Sequence, residues 1–480
     1  MDELYGGIDI GTTACKLIVV SGEGNVVATA SSEYQTSYPK PGWAEQDPHN
    51  WIVVVKNCLK KIGQETLKRL VFMSIDAPAH IMVFLDENNQ PVRTSLTWED
   101  QRAFQEAKSI TAEDDDTVYS ISGNRVRAIF ALPQLLWIMK NDPESWKKTK
   151  RLTFIKDYVR GYLTGEFEYT DFADPIGTLF FDVNKGEWSD YILEKYNIPI
   201  EILPAVRNTC EIGGEVSVTT SNEFGLPAGL PIKIGTIDIA ADHLVSGVIN
   251  KGDIMIKLST VGVISAVTEK PFPRTVNYTL PFRGRWFSKS NTLYAGASYK
   301  WVRHLFNESS YKNMDSLAEQ SPPGSNGLIF HPYLGGEGSP YWKSQLRGSL
   351  QGITTTTSRS DVFRAIMEGV GLSLYDSLSE FEGLAIKSAR IIGGGASSKL
   401  WVQMIADIFQ VNIITLKHQD AAYGSAMIAA STNETLESTV NKWVVPNGIF
   451  SPNRHRSIIY SEIFKKYKNI ASYLVSHSFE

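Results

Sequence analysis

The sequence predicts an α/β protein made of two similar halves. Three observations carry that expectation. The chain has 480 residues, too many for one ordinary core and enough for two domains. A strand-turn-strand unit opens the chain and occurs again near its middle. Strand-like and helix-like segments are mixed in both halves.

The first unit begins with an alternating, β-branched run at Tyr5–Ile10. A Gly11-Thr12-Thr13 turn follows, then strands at Lys16–Val20 and Val26–Ser31, an antiparallel meander. The same outline returns at Ile254–Leu258, the turn Ser259–Gly262 and Val263–Val267. Thr12 and Thr260 therefore occupy matching turns about half a chain apart. Between the hairpins, Val71–Ile75 and Ile81–Leu85 read as strands, and Leu132–Lys140 and Ile155–Leu163 as helices. In the second half Ser360 reads as an N-cap. Phe363, Ile366, Met367, Val370, Leu374 and Leu378 then form one apolar helical stripe, read as core. A strand at Ala389–Ile392, a loop at Gly393–Ser398 and a helix at Leu400–Phe409 come next. The halves are expected to part near Gly247–Gly252, giving domains 1–248 and 249–480.

Composition excludes several classes. Hydrophobic residues make up 42% and charged residues 21%, as in an ordinary globular protein, and the formal net charge is −5. No basic stripe suits a nucleic-acid backbone. Lys147, Lys148 and Lys150, like Lys465, Lys466 and Lys468, read as solvated helix faces. Cys15, Cys58 and Cys210 are few and widely spaced, which argues against a disulfide framework or a zinc site and for a reducing compartment. The opening Met1-Asp2-Glu3 lacks a basic or apolar leader. No apolar run reaches the ~18 residues of a membrane helix. The cytoplasm is the expected location.

Three features carry candidate chemistry. Asp9 ends a buried strand beside Gly11, Thr12 and Thr13. It either caps its own turn or holds Mg2+, with the turn offering N–H and hydroxyl donors to phosphate oxygens. Gly393-Gly394-Gly395-Ala396-Ser397-Ser398-Lys399 joins a strand to a helix. Such a loop either makes a tight turn or lets a backbone approach an anion. It is not a P-loop, because Ser398 stands where that motif needs glycine. Asp238, within Gly235-Thr236-Ile237-Asp238-Ile239, is either a helix cap or a base for an attacking hydroxyl. No GxSxG or HExxH pattern supports a hydrolase.

Together and in this order, these features resemble the FGGY carbohydrate kinases, and most closely their xylulokinase branch. Further segments carry the resemblance from about Tyr5 to about Ala430: Gly42-Trp43-Ala44-Glu45-Gln46-Asp47-Pro48, Trp98-Glu99-Asp100-Gln101-Arg102, Ile155-Lys156-Asp157-Tyr158, Gly335-Gly336-Glu337 and Ala422-Tyr423-Gly424-Ser425-Ala426. The resemblance implies two ribonuclease-H-like domains of the actin and hexokinase type around a central cleft. It implies sugar bound mainly by the N-terminal domain and ATP by the C-terminal one, with closure excluding water. It makes Asp238 the base and Asp9 the Mg2+ residue. Gly11, Thr12, Thr13, Thr260, Gly394, Gly395 and Lys399 would line the nucleotide. Ala79, His80, Asp100, Asp238 and Ile239 would line the acceptor. The partner would be a small sugar or polyol, with no nucleic acid or membrane, and the family admits a homodimer.

The departures from the family pattern sit at the substrate and phosphate positions. Pro78-Ala79-His80-Ile81 replaces the usual Gln-Met-His-Gly, and Ile239 replaces an Asn or Gln. Ser259-Thr260-Val261-Gly262 replaces Gly-Thr-Ser-Gly, and Gly338 stands where Arg is usual. His80 is either an acceptor contact or a hydrogen-bonded core histidine. Two readings of function follow: a kinase for a small sugar or polyol, a pentulose such as xylulose above all, or a catalytically weak sugar- or nucleotide-binding sensor. Retention of both Asp9 and Asp238 favours the enzyme, since a sensor needs no base. A chaperone-like ATPase of the same superfamily would need a peptide-binding domain that this length does not hold.

Overall fold

The structure is a computed structural model that describes residues 3–477. Met1 and Asp2 of the N-terminal reading lie outside these residues. The chain forms two compact units. The first comprises Met1–Gly247, Asn277–Trp286 and Asp420–Val444, and the second Val248–Val276, Phe287–Gln419 and Val445–Glu480. The division expected from the sequence was contiguous, whereas these units are not.

In the first unit, strands Val26–Glu33, Ala14–Ser21, Leu4–Ile10, Leu70–Ala77, Pro231–Lys233 and Ile212–Glu215 follow one another across a sheet. Leu4–Ile10 runs antiparallel to Ala14–Ser21 and parallel to Leu70–Ala77. Helix Pro48–Ile62 covers one face, capped by Asp47, with Trp51, Val54, Val55 and Leu59 in the core. Helix Ala421–Ala429, late in the chain, belongs to this unit because its backbone packs directly on the first strand. A Cβ on Gly7 would stand 2.0 Å from the Ala422 carbonyl oxygen, so only glycine fits. Asn277 is fastened to the same unit, its N–H donating to Asn124 Oδ1 at 2.8 Å.

The second unit repeats the plan. Its strands Trp286–Thr292, Gly262–Thr268, Asp253–Leu258, Ser388–Ile392, Ile413–Leu416 and Pro446–Phe450 are neighbours in that order. The hairpin Asp253–Leu258/Gly262–Thr268 is antiparallel, and Asp253–Leu258 pairs in parallel with Ser388–Ile392. In both units the strand beyond the parallel partner is also parallel, and the edge strand antiparallel. The duplication read from two turns thus extends over whole sheets. Helix Arg359–Ser377 buries Phe363, Ile366, Met367, Val370 and Leu374 in the core. Its N-cap is Ser358, not Ser360: the Ser358 hydroxyl accepts from Asp361 N–H while the Asp361 carboxylate accepts from Ser358 N–H. A reciprocal pair satisfies two end donors, where Ser360 would satisfy one. All three cysteines are buried free thiols. Among the described residues no helix is long and apolar enough to cross a membrane.

Candidate active site

Asp9 lies at the end of Leu4–Ile10, opposite Lys16 on one neighbouring strand and Asp76 on the other. The turn after it is held from behind. Gly11 N–H donates to the Ala14 carbonyl at 3.0 Å, and Tyr34 O–H donates to the Gly11 carbonyl. Gln46 Nε2 donates to the Thr12 carbonyl at 2.9 Å, and its Oε1 accepts from Trp51 Nε1 at 3.1 Å. The Gly42–Pro48 segment therefore buttresses the turn. The Thr12 and Thr13 hydroxyls make no hydrogen bond within the protein among the described residues, so both are available to a ligand. Lys16 forms an ion pair with Asp420, the residue before helix Ala421–Ala429.

Asp76, which the sequence reading passed over, is fully buried beside Asp9. Its Oδ2 accepts from the Ser425 hydroxyl at 2.5 Å, and its Oδ1 has no partner among the described residues. Burial pushes the Asp76 carboxyl well above the usual carboxylate range, and the charges of Asp9, Asp238 and Asp242 add to the shift against the Ser425 hydrogen bond. These four acids thus share one neighbourhood. The signal that singled out Asp9, a carboxylate ending a buried strand, also applies to Asp76.

Asp238 is the first residue of helix Asp238–Ser246 and is half-buried. One oxygen accepts from Ile239 N–H at 2.6 Å. The strand before it is fixed by Gly235, at φ +79°, where a Cβ would meet the Ile75 carbonyl oxygen at 2.1 Å. That contact ties Asp238 to the strand that carries Asp76. Helix Asp238–Ser246 in turn packs tightly on helix Ala421–Ala429, where a Cβ on Gly424 would lie 2.3 Å from the Ala241 carbonyl oxygen.

His80 is 4% exposed and has φ +50°. Its backbone N–H donates to Asp174 Oδ1 at 2.6 Å. Its Nε2 lies 2.9 Å from the Ile129 carbonyl, which can only accept, so Nε2 carries the proton. Nδ1 then accepts from the Tyr278 hydroxyl at 3.0 Å, with the two rings stacked. Burial, and then the charges of Asp238 and Asp174, push the Tyr278 hydroxyl well above its ordinary range, so the field of Asp238 reaches the His80–Tyr278 pair. Ala79 and Ile239 are buried alongside. Asp174 sits in a buried network: Lys156 Nζ lies 2.8 Å from Asp157, 3.2 Å from Asp171 and 3.1 Å from Asp174. Burial pushes Asp174 up to about 7 despite the Lys156 charge.

Asp100, expected to line the acceptor, finds its partners within the protein. It is fully buried, accepts from Ala44 N–H at 2.6 Å and forms a bidentate pair with Arg102, which also reaches Glu45 at 2.7 Å. The Arg102 guanidinium stacks on Trp43, 3.6 Å from the ring centroid. Asp100 thereby locks the Gly42–Pro48 and Trp98–Arg102 segments to each other, with neither oxygen on the surface.

In the second unit, the Thr260 carbonyl accepts from Ala295 N–H at 3.0 Å, and Gly296 N–H donates to the Ser259 carbonyl at 2.8 Å. This clamps the turn on the start of helix Gly296–Leu305. The Ser259 hydroxyl turns inward, onto the Val261 carbonyl at 2.9 Å. The Thr260 hydroxyl is exposed and makes no hydrogen bond among the described residues. Two residues earlier, Leu258 meets the glycine loop. A Cβ on Gly393, at φ +91°, would stand 2.6 Å from its carbonyl oxygen, and one on Gly395 2.7 Å from its side chain. Gly394 faces open space, and Lys399 begins helix Lys399–Phe409 under a Ser398 cap. Thr260 and the glycine loop are thus neighbours, as the sequence could not show. Gly338 also has a structural cause: a Cβ there would approach the Asn291 carbonyl oxygen to 2.6 Å.

Two sheets of one topology, each with a threonine-bearing hairpin turn beside a parallel strand, define the duplicated α/β ATPase fold of the actin and hexokinase type. The chain belongs to the FGGY family of carbohydrate kinases: the family's N-terminal domain matches residues 4–244 and its C-terminal domain residues 256–432. It is 33% identical to a xylulose kinase of Lactococcus lactis, over 97% of this chain and 95% of that one. It is 28% identical to a gluconokinase of Bacillus subtilis, over 98% and 95%. Among solved structures, a xylulose kinase from Rhodospirillum rubrum superposes with a TM-score of 0.88 at 26% identity, covering 98% of this chain and 99% of that one. A gluconate kinase from Lactobacillus acidophilus has a TM-score of 0.92 at 24% identity, covering 100% and 99%, which shows the shared fold. The chain is a sugar kinase.

Proposed function

We propose that this kinase transfers the γ-phosphoryl group of ATP to a hydroxyl of a small sugar or polyol, a pentulose such as xylulose in the first instance. One observation carries the reading: Asp238 is half-buried at a helix start, with one oxygen held by Ile239 N–H and the other without a partner among the described residues, and its charge is felt by Tyr278, the partner of His80. That oxygen takes the acceptor's proton as the hydroxyl oxygen bonds to phosphorus and the bond from phosphorus to the ADP oxygen breaks. The helix N-terminus supports negative charge at that position.

Asp9 is the residue that would hold Mg2+, directly or through water. The donor set fits a hard cation: a half-exposed carboxylate flanked by two ligand-ready hydroxyls, Thr12 and Thr13. The metal would supply charge neutralisation on the phosphates. Gly11, Thr12 and Thr13 in the first unit, and Thr260, Gly394, Gly395 and Lys399 in the second, would bind the nucleotide. Ala79, His80 and Ile239 would shape the acceptor pocket. Asp100 would act as a positioning residue, through Ala44 N–H and Arg102. His80 presents the Tyr278 ring rather than a free imidazole, and Ile239 brings an apolar face where the family has an amide. The three free, buried cysteines accord with a cytoplasmic setting.

The test is ADP release by the purified chain with Mg-ATP against ketoses, polyols and aldonates. Stimulation by one pentulose supports the reading. Stimulation by an aldonate alone corrects the acceptor class. ATP binding with no turnover on any compound overturns it in favour of a sensor.

A further inference from the structure

The first unit holds a cavity of about 790 Å³ that contains none of Asp9, Thr12, His80 or Asp238. Its size suits a small-molecule site, roughly 300–1,000 Å³. Asp171 and Thr236 lie at its buried floor, Phe282 on a wall, and Lys185, Arg283 and Arg285 at its rim.

The charges at this cavity do not cancel. The Asp171 carboxylate shares Lys156, at 3.2 Å, with Asp157 and Asp174 and accepts from the Thr236 hydroxyl at 2.8 Å, so its oxygens are already engaged at the floor and the rim cations lie nearer the mouth. Arg285 pairs with Glu437 at 2.8 Å, and Lys185 lies 3.8 Å from Glu187. Arg283 is exposed and makes no hydrogen bond or ion pair among the described residues. A turn sets it there: Arg285 N–H donates to the Phe282 carbonyl at 3.1 Å, and Gly284 has φ +74°. A guanidinium carried by this turn at the mouth of a partly aromatic cavity, with no acid paired to it among the described residues, matches an oxyanion on a short carbon skeleton.

We propose that this cavity binds a small sugar or polyol carrying a terminal phosphate or carboxylate, at a site separate from the acceptor pocket. The site borders that pocket on two sides. Thr236 precedes Asp238 by two residues. Asp171, Lys156 and Asp174 form a buried chain that ends on the His80 backbone N–H. The binding site itself does not depend on the acceptor assignment.

The experiment is titration calorimetry of the full chain, without nucleotide, using ribose 5-phosphate, ribonate and ribose as probes. Arg283→Glu is the test variant. Lys60→Glu, on an exposed position of helix Pro48–Ile62, controls for net charge. One or both anionic probes should bind and ribose should not, and the tighter anion identifies the preferred head group. Arg283→Glu should weaken binding at least about tenfold, with an unchanged melting temperature, while Lys60→Glu should leave it unaltered. The proposal is overturned if neither anion binds, if ribose binds equally well, or if Arg283→Glu binds like the parent.

Discussion

The Ser425 hydroxyl donates to Asp76 Oδ2 at 2.5 Å, across 349 positions of sequence. This bond joins the late helix Ala421–Ala429 to the strand beside Asp9, and among the described residues it is the only hydrogen bond the buried Asp76 carboxyl makes. Ser425→Ala leaves that carboxyl without a partner and is expected to cost about 1–3 kcal/mol. Urea unfolding measures the loss. In the Asp76→Ala background, Ser425→Ala should cost much less, and equal costs in both backgrounds would contradict the pairing.

Gly7→Ala tests why the chain's late residues belong to the first unit. Its Cβ would fall 2.0 Å from a backbone oxygen, and no side-chain rotation relieves such a contact. A loss of about 3 kcal/mol or more is expected, seen as a lower melting temperature or failure to accumulate in soluble form. A melting temperature within a degree or two of the parent would contradict the packing.

Burial pushes the Glu337 carboxyl up to about 8, although Thr292, Gly338, Leu293 and Ser373 donate to it. The folded protein therefore keeps a proton there that the unfolded chain releases near pH 4.5. The resulting stability is complete below that pH and is lost as pH rises through about 8, with a slope of up to about 1.4 kcal/mol per pH unit. Glu337→Gln removes this component. Its urea midpoint should vary less than the parent's between pH 5 and pH 8, a window set by that about-8 value. Parallel profiles would contradict the assignment.

Ile239→Asn and Ala79→Met place the family's usual side chains beside Asp238 and His80. Each should change relative kcat/KM among ketoses by about tenfold or more, Ile239→Asn because a polar group beside an acceptor hydroxyl discriminates strongly and Ala79→Met because a larger side chain narrows the pocket. Unchanged ratios would mean that these residues do not face the acceptor.

Much of this was legible in the sequence because it is local. The Thr12 and Thr260 turns show as a repeated strand-turn-strand pattern, and Asp238 as an acid entering a helix after a glycine. The glycine loop announced its close approach through Gly393 to Gly395. The placement of residues 277–286 and 420–444 was not legible, because it rests on the contacts of Gly7 with Ala422 and of Gly424 with Ala241, long-range encounters between small residues. Asp100 reads as a site residue in a motif, yet its surroundings of Ala44 N–H and Arg102 show only in three dimensions. The proton arrangement of His80 likewise depends on Tyr278, 198 positions away.

The most direct test of the central claim is single-turnover phosphoryl transfer by Asp238→Asn, measured together with ATP binding. A rate lower by about 10²–10⁴-fold is expected, with an unchanged ATP dissociation constant. Transfer at the parent rate would contradict Asp238 as the base.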